Sequence, residues 1–346
     1  PASAAATGLA AERVQTVTGD VRDAPSLRPA VDGVDLVISA VHGLIGPGRV
    51  NPAAVDRDGI INLVDAARAA GAEFVLVSAI GTTANHPIGL FRMKAVAEHY
   101  LQTSGVPWTI VRSTAFAELY LDLLAQSAGR SGRPVLFGRG DNPINFVAID
   151  DVAALIELVA LDASTRGQLF EIGGPRNLTF GELTKILGNR IGDNAVRARH
   201  VPRLVLRALA ATGHLWPTAQ ARLAELALYM DTADMTFDSS PLHDRYPQLP
   251  ATNIAAALSR SPPPRSQPNL PTRDKHPSQS TTTPSLRRTC GLAGVPEAEP
   301  LAASLRRASR LNRQAREIPQ VRGPAEPDRH RRVGRGGRVH LPAASS

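Results

Sequence analysis

A lysine and several hydroxyl side chains lie where two apolar segments end or on the segment between them. Ser78 lies near the end of the run EFVLVSAIG, and Ser113 and Thr114 lie near the end of WTIVRSTAF. Lys94 belongs to the intervening segment LFRMKAVAEHYLQTSG. A fixed ammonium can stabilise a developing oxyanion, and hydroxyls can orient a polar ligand. These residue types therefore indicate a small-molecule site rather than a purely structural segment.

The spacing of apolar residues predicts the elements that position these side chains. The segment 90–105 is predicted to be helical because its apolar residues recur at intervals of three and four. These residues are Leu90, Met93, Val96, Ala97, Tyr100 and Leu101. A helix between two short apolar runs forms a βαβ unit, and parallel strands carry ligands at their carboxyl ends. Here those ends are 78–81 and 113–116.

A serine after one strand, followed by a lysine on the next helix, resembles the short-chain dehydrogenase/reductase superfamily. That superfamily joins the serine to a Tyr-x-x-x-Lys motif, but Leu90 occupies the tyrosine position here. The pattern therefore resembles the atypical, NmrA-like branch, which keeps the lysine and lacks the tyrosine. The resemblance covers roughly residues 13–255 and implies an α/β fold, a Rossmann-like doubly wound parallel sheet that binds NAD(P).

Further segments extend the resemblance and imply site residues. The segment 14–23 (VQTVTGDVRD) is predicted to be a strand ending beside the adenine, and 34–43 (VDLVISAVHG) a buried strand ending along a ribose. The resemblance implies catalytic roles for Ser78 and Lys94. It implies cofactor contacts from Asp20, Val21, Ser39, Ala40, Val41, Lys94, Ser113, Thr114 and Phe116.

The glycine-rich turn that binds a pyrophosphate is not recognisable. The segment 5–11 (AATGLAA) has alanine where the first and third glycines are expected, and no strand precedes it. We therefore expect the first strand, phosphate loop, helix and second strand, on the order of 35–40 residues, to be absent from the sequence. This expectation leaves open whether the chain is active. It also leaves NADH and NADPH undistinguished, because the second strand carries that choice.

Each candidate residue has a structural alternative. Lys94 could be a solvated helix lysine, although it is one of only three lysines in a chain rich in arginine. Ser78 could be a small residue at a strand end, and Asp20 could cap the following turn. Thr114 could cap a helix and Phe116 could pack in the core.

Composition changes near residue 258. Residues 259–346 hold 17 of the 39 Lys and Arg residues, 6 of the 31 Asp and Glu residues and 13 of the 28 prolines. We predict a domain at 1–258, with a substrate-side part at roughly 134–258, and a disordered basic tail at 259–346. The final RHRRVGRGGRV could neutralise phosphates, but it lacks interleaved aromatic residues, so nucleic-acid binding is the less favoured alternative.

Cysteine and histidine usage indicates no metal site. Cys290 is the single cysteine, and the nine histidines show no ligand spacing with acidic residues. No secretory signal and no apolar run of membrane-spanning length is recognisable, so we expect a cytoplasmic protein that does not bind membranes. The sequence does not indicate an oligomeric state.

Two functions from different classes are consistent with these patterns. The first is an NAD(P)-dependent reductase that transfers hydride to a small carbonyl, quinone or enone held near Ser78, Lys94 and Phe116. The second is a non-catalytic NAD(P) redox sensor or interaction protein. Leu90 at the tyrosine position favours the sensor, whereas the hydroxyls and Lys94 favour the reductase.

The tail composition predicts that residues 259–346 contribute nothing to the stability of the domain. A chain ending at Arg260 should have the melting temperature of the full chain, because the tail lacks a pattern that could bury apolar surface. Thermal unfolding of both proteins by circular dichroism tests this prediction. A drop of several degrees on truncation would contradict it.

Overall fold

The computed structural model of the protein describes residues 17–44, 50–129, 132–191, 197–213 and 218–255. The strands are β1 Leu36–Ser39, β2 Glu73–Ala79, β3 Trp108–Ser113, β4 Ala115–Phe116, β5 Val135–Phe137, β6 Ile144–Val147, β7 Gln168–Ile172, β8 Asn177–Leu178 and β9 Arg199–Val201. The α-helices are α1 Arg28–Val31, α2 Asp58–Ala70, α3 Gly89–Thr103, α4 Ala117–Ala128, α5 Ile149–Leu161, α6 Phe180–Ile191, α7 Arg203–Thr212, α8 Ala219–Thr232 and α9 Ser240–Arg245. The predicted tail at 259–346 lies outside the described residues.

A parallel sheet in the order β1-β2-β3-β7 positions the candidate site. Ser39 pairs in register with Leu76, and Ala79 pairs with Ser113. Because all three neighbouring pairs are parallel, the carboxyl ends of the strands share one edge of the sheet. The predicted strands within 73–81 and 108–116, with a helix between them, are confirmed.

Helices cover both faces of this sheet. One face packs against α2 and α3, whose buried residues include Val64 and Leu101. The other face packs against α5 through Val152, Leu155 and Val159, together with Leu242 from the later chain. A parallel sheet buried on both sides is the doubly wound α/β arrangement that the sequence predicted.

A third apolar cluster lies in the part of the chain after β3. It joins α4, β6, α6 and α8 through residues that include Leu121, Phe146, Leu183 and Met230. Two small sheets accompany it, in the orders β4-β6-β8 and β5-β9. Ala117, Leu121 and Leu124, which precede residue 134, already belong to this cluster. The substrate-side part beginning near residue 134 stays a prediction.

The helix that follows β1 begins with an unusual turn. The sequence of segment 51–71, with Pro52 near its start and Gly71 at its end, predicts one long helix. The structure instead begins this helix with a π-helical turn at Ala53–Arg57, followed by α2. Gly71 ends the helix in the left-handed conformation at φ 70°, which glycine adopts without steric cost. Single π-helical turns occur frequently at functional sites.

Two local predictions are corrected. The segment 14–23, predicted as a strand, contains none in its described part: residues 17–20 are irregular, residues 21–23 form a turn, and residues 14–16 lie outside the described part. No described strand pairs with Val17 or Thr18, so no ladder of hydrogen bonds holds them extended. On α3, Val96 is 42% exposed and Phe91 is buried, because Phe91 packs against His86 on the preceding loop.

The end of the described chain is attached to α5 through a buried carboxylate. Asp151 accepts hydrogen bonds from the Thr252 amide at 2.7 Å and the Thr252 hydroxyl at 2.6 Å.

Thr252→Val should lower the free energy of unfolding by about 1–3 kcal/mol, because one buried acceptor loses its donor. Urea denaturation measures the change. Thr103→Val is the control, since the exposed Thr103 hydroxyl bonds only to carbonyls of its own helix; equal losses in both variants would contradict the prediction.

Candidate active site at the carboxyl edge of the sheet

Two serines at the strand ends carry buried hydroxyls. Ser39 lies two residues after Val37, and Ser78 lies two residues after Leu76, so both side chains point to the face of α2 and α3. Ser39 is 2% exposed and Ser78 is 4% exposed. Among the residues that the structure describes, neither hydroxyl has a hydrogen-bond partner.

Thr82, in the turn after β2, has a third buried hydroxyl without a partner in the described chain. A buried polar group that lacks a partner costs roughly 1–3 kcal/mol, and native proteins rarely retain such groups without a reason. The three hydroxyls of Ser39, Ser78 and Thr82 lie at or just after the carboxyl ends of the neighbouring parallel strands β1 and β2. This is where α/β proteins bind ligands. This part of the protein therefore offers donors and acceptors for a polar ligand.

Lys94 forms a buried ion pair with Asp56, a residue that the sequence analysis did not select. The Lys94 Nζ atom lies 3.0 Å from Asp56 Oδ1, and the Asp56 side chain is fully buried. Asp56 Oδ1 accepts no hydrogen bond in the described chain, so its contact with the Lys94 ammonium is electrostatic. An ammonium has three donors, and Asp56 is its one ionic partner in the described chain.

The same carboxylate holds the loop that follows β1. Asp56 Oδ2 accepts a hydrogen bond from the Gly43 amide at 2.8 Å. A Cβ atom at Gly43 would lie 2.6 Å from the Asn51 carbonyl oxygen, so only glycine allows this approach. Ala40 and Val41 are exposed in the same loop. Two of the residues predicted to contact cofactor are therefore open to solvent and carried on a loop fixed by Asp56.

Asp20 and Val21 lie in a turn before α1. The Asp20 carboxylate forms an ion pair with Arg22 at 2.6 Å and accepts a hydrogen bond from the Arg22 amide. The Arg22 hydrogen bond lowers the pKa of Asp20. The Val21 side chain is apolar, and the Val21 carbonyl oxygen accepts a hydrogen bond from Asn62 on α2. Asp20 therefore makes the turn contact given above as its structural alternative, while an adenine contact stays a prediction.

Ser113, Thr114 and Phe116 divide between the sheet edge and the later chain. Ser113 is buried at the end of β3, opposite Ala79. The Thr114 hydroxyl lies 3.0 Å from Asn145 Oδ1, and Phe116 packs with the cluster beneath α5. Asn145 also bonds the Gly174 amide and carbonyl, so Thr114 belongs to a satisfied polar network rather than to the unpartnered group.

A pocket of about 520 Å³ is lined by residues of the same helices that carry Lys94 and Asp56, among them Met93 and Ala53. It is lined by the loop after β1, the start of α3 and the first two turns of α8. Leu90 and Met93 contribute from α3, and Arg222 and Glu225 contribute from α8. Its size and mainly apolar lining are typical of small-molecule sites. Leu90, at the position of the missing tyrosine, faces this pocket.

A histidine and a tyrosine that the sequence analysis did not select meet near this pocket. His86 is 7% exposed, and its Nε2 atom lies 3.1 Å from the Tyr229 hydroxyl oxygen. The rings are 4.9 Å apart in an edge-to-face arrangement, and Phe91 packs near both of them, 4.3 Å from His86 and 6.4 Å from Tyr229 between ring centroids. The two residues are 143 positions apart in sequence, so no local pattern could have joined them.

Glu118 is a half-buried acid at the start of α4. Its two carboxylate oxygens accept from the Ile149 amide at 3.1 and 3.2 Å, at the amino end of α5. Burial raises the pKa of Glu118 to about 7. The carboxyl group therefore changes protonation near neutral pH.

Comparisons with known proteins relate the chain to NAD(P)H-binding reductases. Residues 2–156 match the sequence profile of a family described as NAD(P)H-binding. The chain is 28% identical to the NAD(P)H azoreductase of Xenophilus azovorans over 55% of its length, and 28% identical to quinone oxidoreductase 2 of Escherichia coli over 54%. These matches span 63% and 64% of the two relatives. These matches support the resemblance to the NmrA-like, atypical branch of the short-chain dehydrogenases/reductases that the sequence motifs indicate.

Solved structures agree with the fold. The Escherichia coli quinone oxidoreductase QOR2, solved with NADPH, matches with a TM-score of 0.56 and 24% identity, covering 74% of this chain and 86% of that one. The triphenylmethane reductase of Citrobacter sp., solved with NADP(H), matches with a TM-score of 0.56 and 21% identity over the same shares. At these identities the likeness establishes a Rossmann-like fold.

Two kinds of feature are absent from the described residues. No helix there is both long and apolar enough to cross a membrane. No group of three or more His, Cys, Asp or Glu residues in the same ranges is arranged to hold a metal ion.

The raised pKa of Glu118 predicts a pH-dependent stability. The folded state holds the Glu118 proton more tightly than the unfolded state, so this group makes the free energy of unfolding fall as pH rises from about 4.5 to about 7. The full shift corresponds to roughly 3 kcal/mol. Glu118→Gln should remove this fall, so its stability relative to the unsubstituted protein should rise over that interval. Urea denaturation from pH 4.5 to 8 measures the difference, and parallel pH curves for the two proteins would contradict it.

Proposed function

We propose that this chain is an NAD(P)H-dependent oxidoreductase that transfers hydride to a small carbonyl, quinone or enone. The observation that carries the proposal is the set of buried, unpartnered hydroxyls of Ser39, Ser78 and Thr82 at the carboxyl edge of the sheet. The similarity to an azoreductase and a quinone oxidoreductase supports an acceptor that is a reducible small molecule.

The cofactor fits this edge because the edge supplies polar groups that the protein itself leaves unpaired. Ser39 and the exposed residues Ala40 and Val41 would hold a ribose, and Asp20 with Val21 would lie toward the adenine. When bound, NAD(P)H supplies a hydride to the acceptor. Lys94, whose ammonium retains donors beyond its contact with Asp56, would hold the nicotinamide ribose or stabilise oxyanion charge.

The acceptor would occupy the pocket between α3 and α8. Leu44, Leu90 and Met93 give it an apolar lining suited to a flat unsaturated ring. The Ser78 hydroxyl would orient the acceptor oxygen at the end of β2, and Phe116 would pack near the cofactor. Apolar walls exclude water, which strengthens the interaction of Lys94 with developing negative charge.

A second function keeps the same cofactor site without hydride transfer. Leu90 faces the pocket at the position where typical members of the superfamily have the proton-donating tyrosine. A protein that binds NAD(P) without a proton donor could act as a redox sensor. Cofactor oxidation separates the two functions, because a sensor binds NAD(P)H but does not oxidise it when an acceptor is added.

The test uses the full chain with NADH or NADPH and a panel of quinones, enones and aldehydes. Loss of absorbance at the reduced-cofactor band, dependent on both protein and acceptor, is the expected result. Binding measured by quenching of protein fluorescence, without oxidation by any acceptor, would instead support the sensor. Neither binding nor oxidation would contradict both functions.

Lys94→Met tests the role of the ammonium. This variant alone leaves Asp56 as an unpaired buried carboxylate, which costs about 3–5 kcal/mol of stability. Lys94→Met combined with Asp56→Asn removes the pair together and limits that cost. We expect both variants to weaken cofactor binding or turnover at least tenfold, about 1.4 kcal/mol.

The double variant separates binding from folding. If Lys94 serves only to neutralise Asp56, the double variant should recover the binding and turnover of the unsubstituted chain. Asp56→Asn alone is the matched control, since it keeps the ammonium and the side-chain volume. Titration calorimetry and initial rates measure these quantities, and recovery in the double variant would contradict a ligand-binding role for Lys94.

A further inference from the structure

We propose that Tyr229 is the proton donor of the reaction and that His86 positions its hydroxyl. This inference rests on the proposed reductase function and adds a catalytic residue to it. Leu90 occupies the position on α3 where the superfamily has its tyrosine. In this proposal the phenol comes instead from Tyr229 on α8, in the later part of the chain.

The hydrogen bonds of His86 determine which ring nitrogen carries the proton. The Ile88 amide donates to His86 Nδ1 at 3.0 Å, so Nδ1 is an acceptor. In the neutral ring the proton is then on Nε2, which donates to the Tyr229 oxygen. Burial lowers the pKa of His86, which keeps the ring neutral. Arg92, the charged residue that contacts this loop, donates to the carbonyl oxygens of His86 and Pro87 rather than to the ring.

This arrangement directs the phenol proton away from the histidine. Because the Tyr229 oxygen accepts from His86, its own hydrogen remains available for another acceptor. The same Nε2 proton would stabilise the phenolate that remains after proton transfer. A general acid requires this combination of a free proton and a stabilised conjugate base.

The pair lies next to residues that line the pocket. Thr218, Arg222 and Glu225 line the pocket from α8, and Tyr229 follows Glu225 by four residues on that side of the helix. Ile88, which donates to His86, also lines the pocket. A Cβ atom placed on Gly81, just after β2, would lie 4.0 Å from His86 Nε2. The surroundings of the pair therefore include both pocket-lining residues and the turn after β2, the strand that carries Ser78.

The proposed step balances for a quinone. The quinone takes up a hydride, which carries two electrons, from bound NAD(P)H. The quinone oxygen takes a proton from Tyr229, so the phenolic O–H bond breaks as a new O–H bond forms. The products are the hydroquinone, the oxidised cofactor and a tyrosine phenolate, which regains a proton from solvent.

The first experiment compares two acceptors that differ in their need for a proton. A quinone needs a proton to become a hydroquinone, whereas a cationic triarylmethane dye needs only a hydride at its central carbon. We expect Tyr229→Phe to lower the quinone rate at least tenfold more than the dye rate. Tyr246→Phe is the matched control, because Tyr246 packs against Phe170 away from the pocket, and its rate ratio should match that of the unsubstituted chain.

The second experiment needs no turnover. The probe is 4-nitrophenolate, whose oxyanion imitates the reduced acceptor and whose absorbance reports binding. Tyr229→Phe should weaken its binding at least tenfold, and Tyr246→Phe should not. His86→Leu should weaken it as well, whereas His86→Gln, whose amide can donate to the same phenol oxygen, should restore part of the affinity.

The outcomes separate this inference from the proposed function. Equal quinone-to-dye ratios in Tyr229→Phe and the unsubstituted chain, or equal phenolate affinity, would overturn the role of Tyr229 while leaving the reductase function intact. Failure of the unsubstituted chain to reduce either acceptor would overturn the reductase function, and the role of Tyr229 with it.

Discussion

The buried carboxylate of Asp56 is the interaction on which the geometry of the site depends. One oxygen binds the Gly43 amide on the loop after β1, and the other contacts the Lys94 ammonium on α3. A carboxylate that is fully buried is tolerated only when its partners stay in place. Asp56 therefore fixes the distance between two segments that flank the sheet edge. The π-helical turn at 53–57 brings this carboxylate to the start of α2.

Other buried polar side chains contrast with the hydroxyls at the sheet edge. Asn145 bonds β6 to Gly174 and Asn177, and Asp231 binds two backbone amides and Arg203. Both are satisfied within the protein, as expected for groups that hold the later part of the chain together. The buried side-chain atoms without hydrogen-bond partners in the described chain belong to Ser39, Asp56, Ser78 and Thr82. Apart from Asp56, which pairs with Lys94 and holds the Gly43 loop, this difference separates groups that stabilise the fold from hydroxyls available to a ligand.

The sequence predicted the elements better than the contacts between them. Short β-rich runs and three-to-four spacing are local properties, so β2, α3 and β3 were predicted within a few residues. Lys94 was selected from its place on α3, but Asp56 was not, because an acid in the first turns of a helix is ordinarily a solvated cap. The buried side of α3 was assigned incorrectly at Val96, since the aromatic contact of Phe91 with His86 depends on a loop. His86 and Tyr229 meet only through tertiary packing.

The position of the phenol illustrates why a motif and a site are different things. Proton transfer requires a donor within hydrogen-bond reach of the acceptor, and it does not depend on which helix carries that donor. Leu90 makes the α3 wall of the pocket apolar, while Tyr229 on α8 is held by a neutral histidine close to Ile88, another residue of the lining. In the proposed mechanism, the acceptor lies between an apolar wall and a phenol, so a flat ring can pack on one side and receive a proton from the other. Under this proposal, the absence of the tyrosine motif moves the acid to another helix, and the proton transfer itself stays the same.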